Sequence, residues 1–223
     1  MNTEHDSPKL NIIDDNWFSY DYYKKLVDKY MEMDSREINF QNRIVIPFLE
    51  ELFTSTDIMI VDVSTQYDNR NSKIHNNSQY KGSNAAPPDL LIARNWKLDN
   101  LNNTVDYLAA IEIKSPKLDS IYNKEMGNYN PRTIKELKSH LSKNSRVILT
   151  DCIRWQFFER GCASDPIPPI DLFDENKKWK TKIVKNDGIL IEQSQFDSTR
   201  KDDPDEWKLL CKYILKFSTE KNH

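Results

Sequence analysis

Glycine is scarce, with four in 223 residues. No Walker-type or dinucleotide glycine fingerprint is present, so a glycine-rich phosphate cradle is excluded as the source of chemistry. Cysteine is equally sparse: Cys152, Cys162 and Cys211 form no C-x-x-C pair and leave one odd thiol. That usage argues against a disulfide framework and predicts a reducing, cytoplasmic setting. No apolar run reaches membrane length, and the N-terminus is polar without a signal-peptide pattern, so no membrane partner is expected. A net positive charge is also lacking: 32 Lys and Arg stand against 35 Asp and Glu, for a formal net charge of -3. A globally basic nucleic-acid binder is thereby excluded, and any such contact must come from local patches.

What is present suits one domain with a sizeable core. Residues 1–33 read as an arm, loosely held through residue 13, and a first helix. Residues 34–160 read as the core, and residues 161–223 as an extension packed on it. In the first helix Trp17, Phe18, Tyr22, Leu26 and Tyr30 recur at three- and four-residue steps. A second helix carries Ile38, Ile44, Val45, Phe48, Leu49 and Leu52, with Asp34 or Ser35 as N-cap and Pro47 as a candidate kink.

Two short stretches stand out. Pro88-Asp89-Leu90-Leu91-Ile92-Ala93 and Ala109-Ala110-Ile111-Glu112-Ile113-Lys114-Ser115-Pro116 are apolar runs that nonetheless carry charges. A strand buried on both faces reads as a continuous apolar run. Charges inside one cost several kcal/mol unless something compensates them. Side chains alternate along a strand, so Glu112 and Lys114 share one face while Ile111 and Ile113 share the other. If the runs pair as a hairpin, Asp89 comes alongside Glu112, and two carboxylates and a lysine meet at one spot. Mg2+, which prefers hard oxygen ligands and keeps several waters, would stabilise such a group. The plain structural alternatives are a turn aspartate after Pro87-Pro88 and an edge-strand charge pair. The second explains Lys114 well and an acid wedged between two isoleucines poorly.

Pro88-Asp89 followed by Glu112-Ile113-Lys114 resembles the motif of the PD-(D/E)XK nucleases, and is most similar to the nuclease domains of restriction enzymes of the type I subunit kind. The resemblance spans roughly Asp34 to Glu159. It implies an α/β restriction-endonuclease-like core, a central mixed sheet flanked by helices in the order αβββαβ. It implies a metal-dependent endonuclease that hydrolyses DNA phosphodiester bonds in restriction, defence or mobile-element DNA processing. Asp89, Glu112, Lys114 and Glu37 would be catalytic. Mg2+, with Mn2+ able to substitute, would be held by Asp89, Glu112, the Ile113 backbone carbonyl and Glu37. DNA is the implied partner, with a homodimer or a larger restriction or defence complex as the assembly. The competing expectation is a catalytically weak nuclease-fold module that binds nucleic acid or assembles with a partner.

Glu37 has two compatible readings. Asp34-x-x-Glu37 is a capping box; the resemblance makes Glu37 an extra carboxylate of the site. After Pro131, which suits a first helical turn, Ile134, Leu137, Lys138 and Leu141 predict a helix face. There Glu136-Leu137-Lys138-Ser139-His140-Leu141 departs from the related pattern Gln-Leu-Lys-x-Tyr-Leu, and Glu136 and His140 at i, i+4 are expected to pair with each other.

Asp57–Ser64, Arg146–Asp151 and Arg154–Glu159 read as further strands. Ile170–Phe173 reads as an edge strand, and Trp179–Val184 with Ile189–Glu192 as a hairpin across Asn186-Asp187-Gly188. A last helix begins near Pro204, with Trp207, Leu209, Leu210, Tyr213, Ile214 and Phe217 apolar. Trp96 is expected to pack. For phosphate contact the candidates are Lys73 and Lys81 in the long polar loop 66–87, and Lys135, Lys138 and Arg146 in the locally basic stretch from Arg132 to Arg160.

Overall fold

The computed structural model describes residues 18–64, 87–96, 105–116, 122–123, 128–129, 131–161, 167–172, 179–186, 189–196 and 204–219. The arm at residues 1–13, Trp17, the loop at 66–86, the turn at 187–188 and Cys162 lie outside them.

Helix α1 spans Tyr20–Met33 and starts at Ser19, whose hydroxyl accepts the Tyr22 N–H. Its buried side is Tyr20, Tyr23, Val27 and Met31, one position round from the expected Tyr22, Leu26, Tyr30 steps, while Phe18, just ahead of the helix, is buried in the core as expected. Tyr22 is exposed, while Leu26 and Tyr30 only flank the core. The chain then re-enters helix as α2 (Glu37–Phe40), a π turn (Gln41–Val45) and α3 (Ile46–Leu52). Pro47 has no N–H to give. The preceding π turn, closed by Ile46 N–H to the Gln41 carbonyl, absorbs the mismatch without ending the helix. The expected cap is not formed. Asp34 closes α1, its carboxylate turns to the Arg36 backbone and guanidinium, and Arg36 is the N-cap of α2 without a side-chain bond.

Strands β1 (Ile58–Asp62), β2 (Leu90–Arg94) and β3 (Asp106–Ile113) form an antiparallel meander. A two-residue pair, β4 (Tyr122–Asn123) with β5 (Asn128–Tyr129), precedes α4 (Pro131–Lys143). Helix α4 carries the chain over to β6 (Arg146–Thr150), which pairs in parallel with β3. Strands β7 (Arg154–Glu159) and β8 (Ile167–Asp171) add antiparallel, giving an open mixed sheet in the order β1-β2-β3-β6-β7-β8. Pro168 and Pro169 sit in β8, an edge strand, where a missing donor is tolerated. A separate hairpin, β9 (Trp179–Asn186) with β10 (Ile189–Phe196), lies against α1 through β10, and α5 spans Pro204–Thr219.

The sheet is covered on both faces, which defines an α/β architecture. Leu90, Ile92, Ile111, Ile113, Ile148, Trp155 and Phe157 point to the face where α1, α3 and α5 pack. Phe48 and Trp207 lie 4.8 Å apart between ring centroids, and Tyr23 and Trp207 4.9 Å, so α5 closes the same core. Leu91, Ala110 and Val147 point to the opposite face, where α4 contributes Leu137. Trp96 packs at its margin, edge-on to Tyr107 at 6.4 Å.

The turn from β6 to β7 is drawn tight by side chains. Cys152 adopts φ +66°, a left-handed conformation uncommon outside glycine. Its N–H donates to Thr150 Oγ1 at 2.9 Å, and its carbonyl accepts from the buried Tyr23 hydroxyl at 2.7 Å. Asp151 Oδ1 takes the Ile153 and Arg154 N–H groups at 3.0 and 2.7 Å.

Candidate active site

The hairpin of β2 and β3 places the two motifs side by side. Asp89 extends the ladder beyond β2, donating its N–H to the Ile111 carbonyl at 3.1 Å and accepting the Val63 N–H at 3.1 Å. Its side chain continues the pattern: Ile113 N–H donates to Asp89 Oδ2 at 2.7 Å, where an ordinary ladder would offer a backbone carbonyl. Past the end of β3, Lys114 N–H donates to the Thr150 carbonyl at 2.8 Å, so the lysine rides the parallel seam with β6. Alternation then does what the sequence predicts. Ile111 and Ile113 enter the large core; Glu112 and Lys114 turn to the α4 face.

On that face Lys114 is buried, at 3% exposure, and lies within a ring of acids. Its Nζ stands 2.6 Å from Glu112 Oε1, 2.8 Å from Glu136 Oε2 and 4.0 Å from Glu37 Oε1. Burial opposes its charge, but Glu112, Glu136 and Glu37 outweigh that and hold the ammonium well above its ordinary range. Glu136 also accepts from Arg132 Nε at 3.0 Å. Although burial would raise its carboxyl, Lys114 and Arg132 hold it below the usual range. Asp89 goes the other way. Burial first, then the neighbouring Glu112 charge, push it up to about 8, against the pull of the Ile113 N–H and Lys114.

The second oxygen of Glu112 meets His140, with Nε2 to Oε2 at 2.8 Å. His140 and Glu136 therefore do not pair with each other as the i, i+4 spacing suggests. They reach across to β3, Glu136 to Lys114 and His140 to Glu112. The side of α4 that turns inward is Thr133, Leu137 and His140, and Ile134 and Leu141 are only half-buried. Glu136 and His140 are thus the members of the site that sequence reasoning left out, although they occupy the departing positions of the motif-like run on α4.

The structure brings Asp89, Glu112, Lys114 and Glu37 into one neighbourhood. Glu37 lies on its Lys114 side, in the first turn of α2. Ser115 ties this corner together by donating its hydroxyl to the Ser35 carbonyl at 2.6 Å. Among the described residues no group of three or more His, Cys, Asp or Glu side chains is disposed to hold a metal ion. Asp89 and Glu112 form a carboxylate pair whose third neighbour is the lysine. Of the expected phosphate contacts, Lys135 and Lys138 are exposed on α4. Arg146 is engaged within the fold, donating from Nε to Glu159 Oε1 at 3.1 Å and from Nη1 to the Phe217 carbonyl at 2.6 Å, with its guanidinium over the Phe217 ring. Lys73 and Lys81 lie outside the described residues.

No family model, curated protein or solved structure matches the chain. Among the described residues no helix is long and apolar enough to cross a membrane. Any functional reading therefore rests on the site itself.

Proposed function

We propose that the chain is a Mg2+-dependent endonuclease of the PD-(D/E)XK type that hydrolyses DNA phosphodiester bonds, acting in restriction, defence or mobile-element DNA processing. The observation that supports it most is Lys114, held charged between Glu112 and Glu136 at the strand ends where Asp89 and Glu112 meet. The donor set suits a small divalent cation. Asp89 and Glu112 are hard oxygen ligands whose mutual repulsion a cation would relieve, and the Ile113 carbonyl is adjacent in sequence. Two protein carboxylates are enough, because Mg2+ ordinarily completes its shell with water and substrate phosphate. Bound there, it would supply Lewis acidity and a more acidic water. Lys114 is a donor and a fixed positive charge, not a base, because its neighbours keep it protonated. In that role it orients a water and offsets charge that builds on the phosphate. Glu37 adds negative charge on the Lys114 side and lies near enough to receive a water-mediated contact.

One observation favours the competing reading of a nuclease-fold module with little activity: both Glu112 oxygens already have protein partners, Lys114 and His140. The two readings separate in one experiment, cleavage of supercoiled and linear DNA with Mg2+ or Mn2+ by the native chain, Glu112→Ala and Lys114→Ala. Metal-dependent cutting lost in both variants establishes the enzyme. Absence of cutting by the native chain, with no metal bound by calorimetry, leaves the binding module.

A further inference from the structure

We infer that α4 is the positioning element of this site, and that His140 is the residue that fixes the Glu112 carboxylate for a divalent cation; the inference rests on the metal-site reading above. The geometry begins with a match of repeats. Four residues along a helix rise about 6 Å, and two residues along a strand about 6.6 Å. Glu136 and His140, four apart on α4, can therefore meet Lys114 and Glu112, two apart at the end of β3, in reversed order. The observed distances are 2.8 Å for each pair. A carboxylate only accepts, so Nε2 carries the proton that His140 gives to Glu112 Oε2. The ring is 1% exposed, and its Nδ1 is buried without a hydrogen-bond partner. Glu112 is thus its one polar contact among the described residues. The packed helix leaves the imidazole little freedom, and the carboxylate inherits that order. Outer partners that orient a metal-binding carboxylate commonly matter about 10- to 100-fold for affinity when removed.

The test uses calorimetric titration of Mn2+ into the full chain, with thermal melting alongside. His140→Gln places an amide N–H near the position of Nε2, whereas His140→Asn can offer one only near Nδ1. The expected result is native-like Mn2+ affinity for the Gln variant, and affinity weakened at least about tenfold for the Asn variant. His140→Leu, of comparable bulk and without a donor, replaces the Asn variant if that one fails to fold. A folded Asn or Leu variant that binds Mn2+ as tightly as the native chain overturns the positioning role and leaves the metal site standing. A Gln variant as weak as the Asn variant also overturns it, since bulk and not the donor would then be what matters. A native chain that binds no Mn2+ fells the metal-site reading and this inference together.

Discussion

Asp89 stands in for a strand residue with its side chain: its Oδ2 accepts the Ile113 N–H at 2.7 Å, so the hairpin of β2 and β3 is closed by a carboxylate. That bond aims Asp89 at the same end of β3 as Glu112, and the resulting repulsion adds to burial in raising it to about 8. The sign of the consequence is definite. A carboxyl raised in the folded chain binds a proton that the unfolded chain, near pH 4, has released. Without divalent cations, folding stability should therefore fall as pH rises from about 4 to about 8, by up to about 1.4 kcal/mol per pH unit. Urea denaturation in EDTA at pH 5.5 and 8.0 should show the loss, and Asp89→Asn should flatten it. Saturating Mg2+ should restore stability at the upper end, because binding requires the ionised carboxylate.

Lys114→Met tests charge against packing. The thioether fills most of the volume but leaves Glu112 and Glu136 facing each other without the ammonium. Breaking a buried ion pair in this way typically costs about 3–5 kcal/mol; Glu136 is partly solvated, so the lower end is expected. DNA cleavage should fall by about 10²–10³-fold or more, as when a preorganised donor to developing charge is removed. Urea melts and single-turnover cleavage on one preparation measure the two effects separately.

Glu37 distinguishes the cap from the site. It is 40% exposed and no hydrogen-bonded cap forms at Arg36, so Glu37→Gln should change stability by no more than about 0.5 kcal/mol. Cleavage should nevertheless drop, by roughly tenfold, as expected of a group within Coulomb range of the lysine. Equal cleavage by both proteins would confine Glu37 to a structural role.

Lys135 and Lys138 are exposed on α4. Replacing either with alanine should weaken DNA binding evenly across sequences. Each should also reduce the slope of log affinity against log salt by about one. Fluorescence anisotropy on two unrelated duplexes between low and moderate salt is sufficient.

Tyr23→Phe should destabilise without touching the chemistry. The hydroxyl is buried and donates to the carbonyl of Cys152, in a turn already at positive φ. Its loss leaves that carbonyl unsatisfied, a cost of about 1–3 kcal/mol. Denaturant midpoints should shift while Mn2+ affinity stays as in the native chain.

Much of this arrangement was legible in the sequence. The hairpin and the division of Glu112 and Lys114 from Ile111 and Ile113 follow from period-two alternation, which tertiary context seldom overrides. The order of the main elements from α2 to β7 and the packing of Trp96 were readable for similar local reasons; the short β4–β5 pair was not, and the edge strand β8 starts at Ile167, ahead of the expected Ile170. The inward faces of α1 and α4 were not. Side chains that could pack crowd α1 on adjacent sides, so Tyr22, Leu26 and Tyr30 suggest one stripe and Tyr23, Val27 and Met31 another, and only the packed sheet selects between them. On α4 the buried stripe is polar, and hydropathy hides it: Thr133 and His140 lie inward while Ile134 stays half-solvated. Glu136 and His140 look self-sufficient at i, i+4 because the charges that claim them sit on another strand. Asp34 shows the same limit, since a neighbouring Arg36 outbids the helix terminus for its carboxylate.

The sheet has one parallel joint, β3 with β6, set between two antiparallel halves of local meanders. Each half can assemble from near neighbours in the chain; the joint needs the long α4 crossover to land first, which makes it the entropically late step. Lys114 rides that joint and α4 spans it. The candidate site should therefore be the last region to knit together and the first to loosen, and on the proposed function cutting should fade at lower urea than the far-ultraviolet dichroism of the two halves.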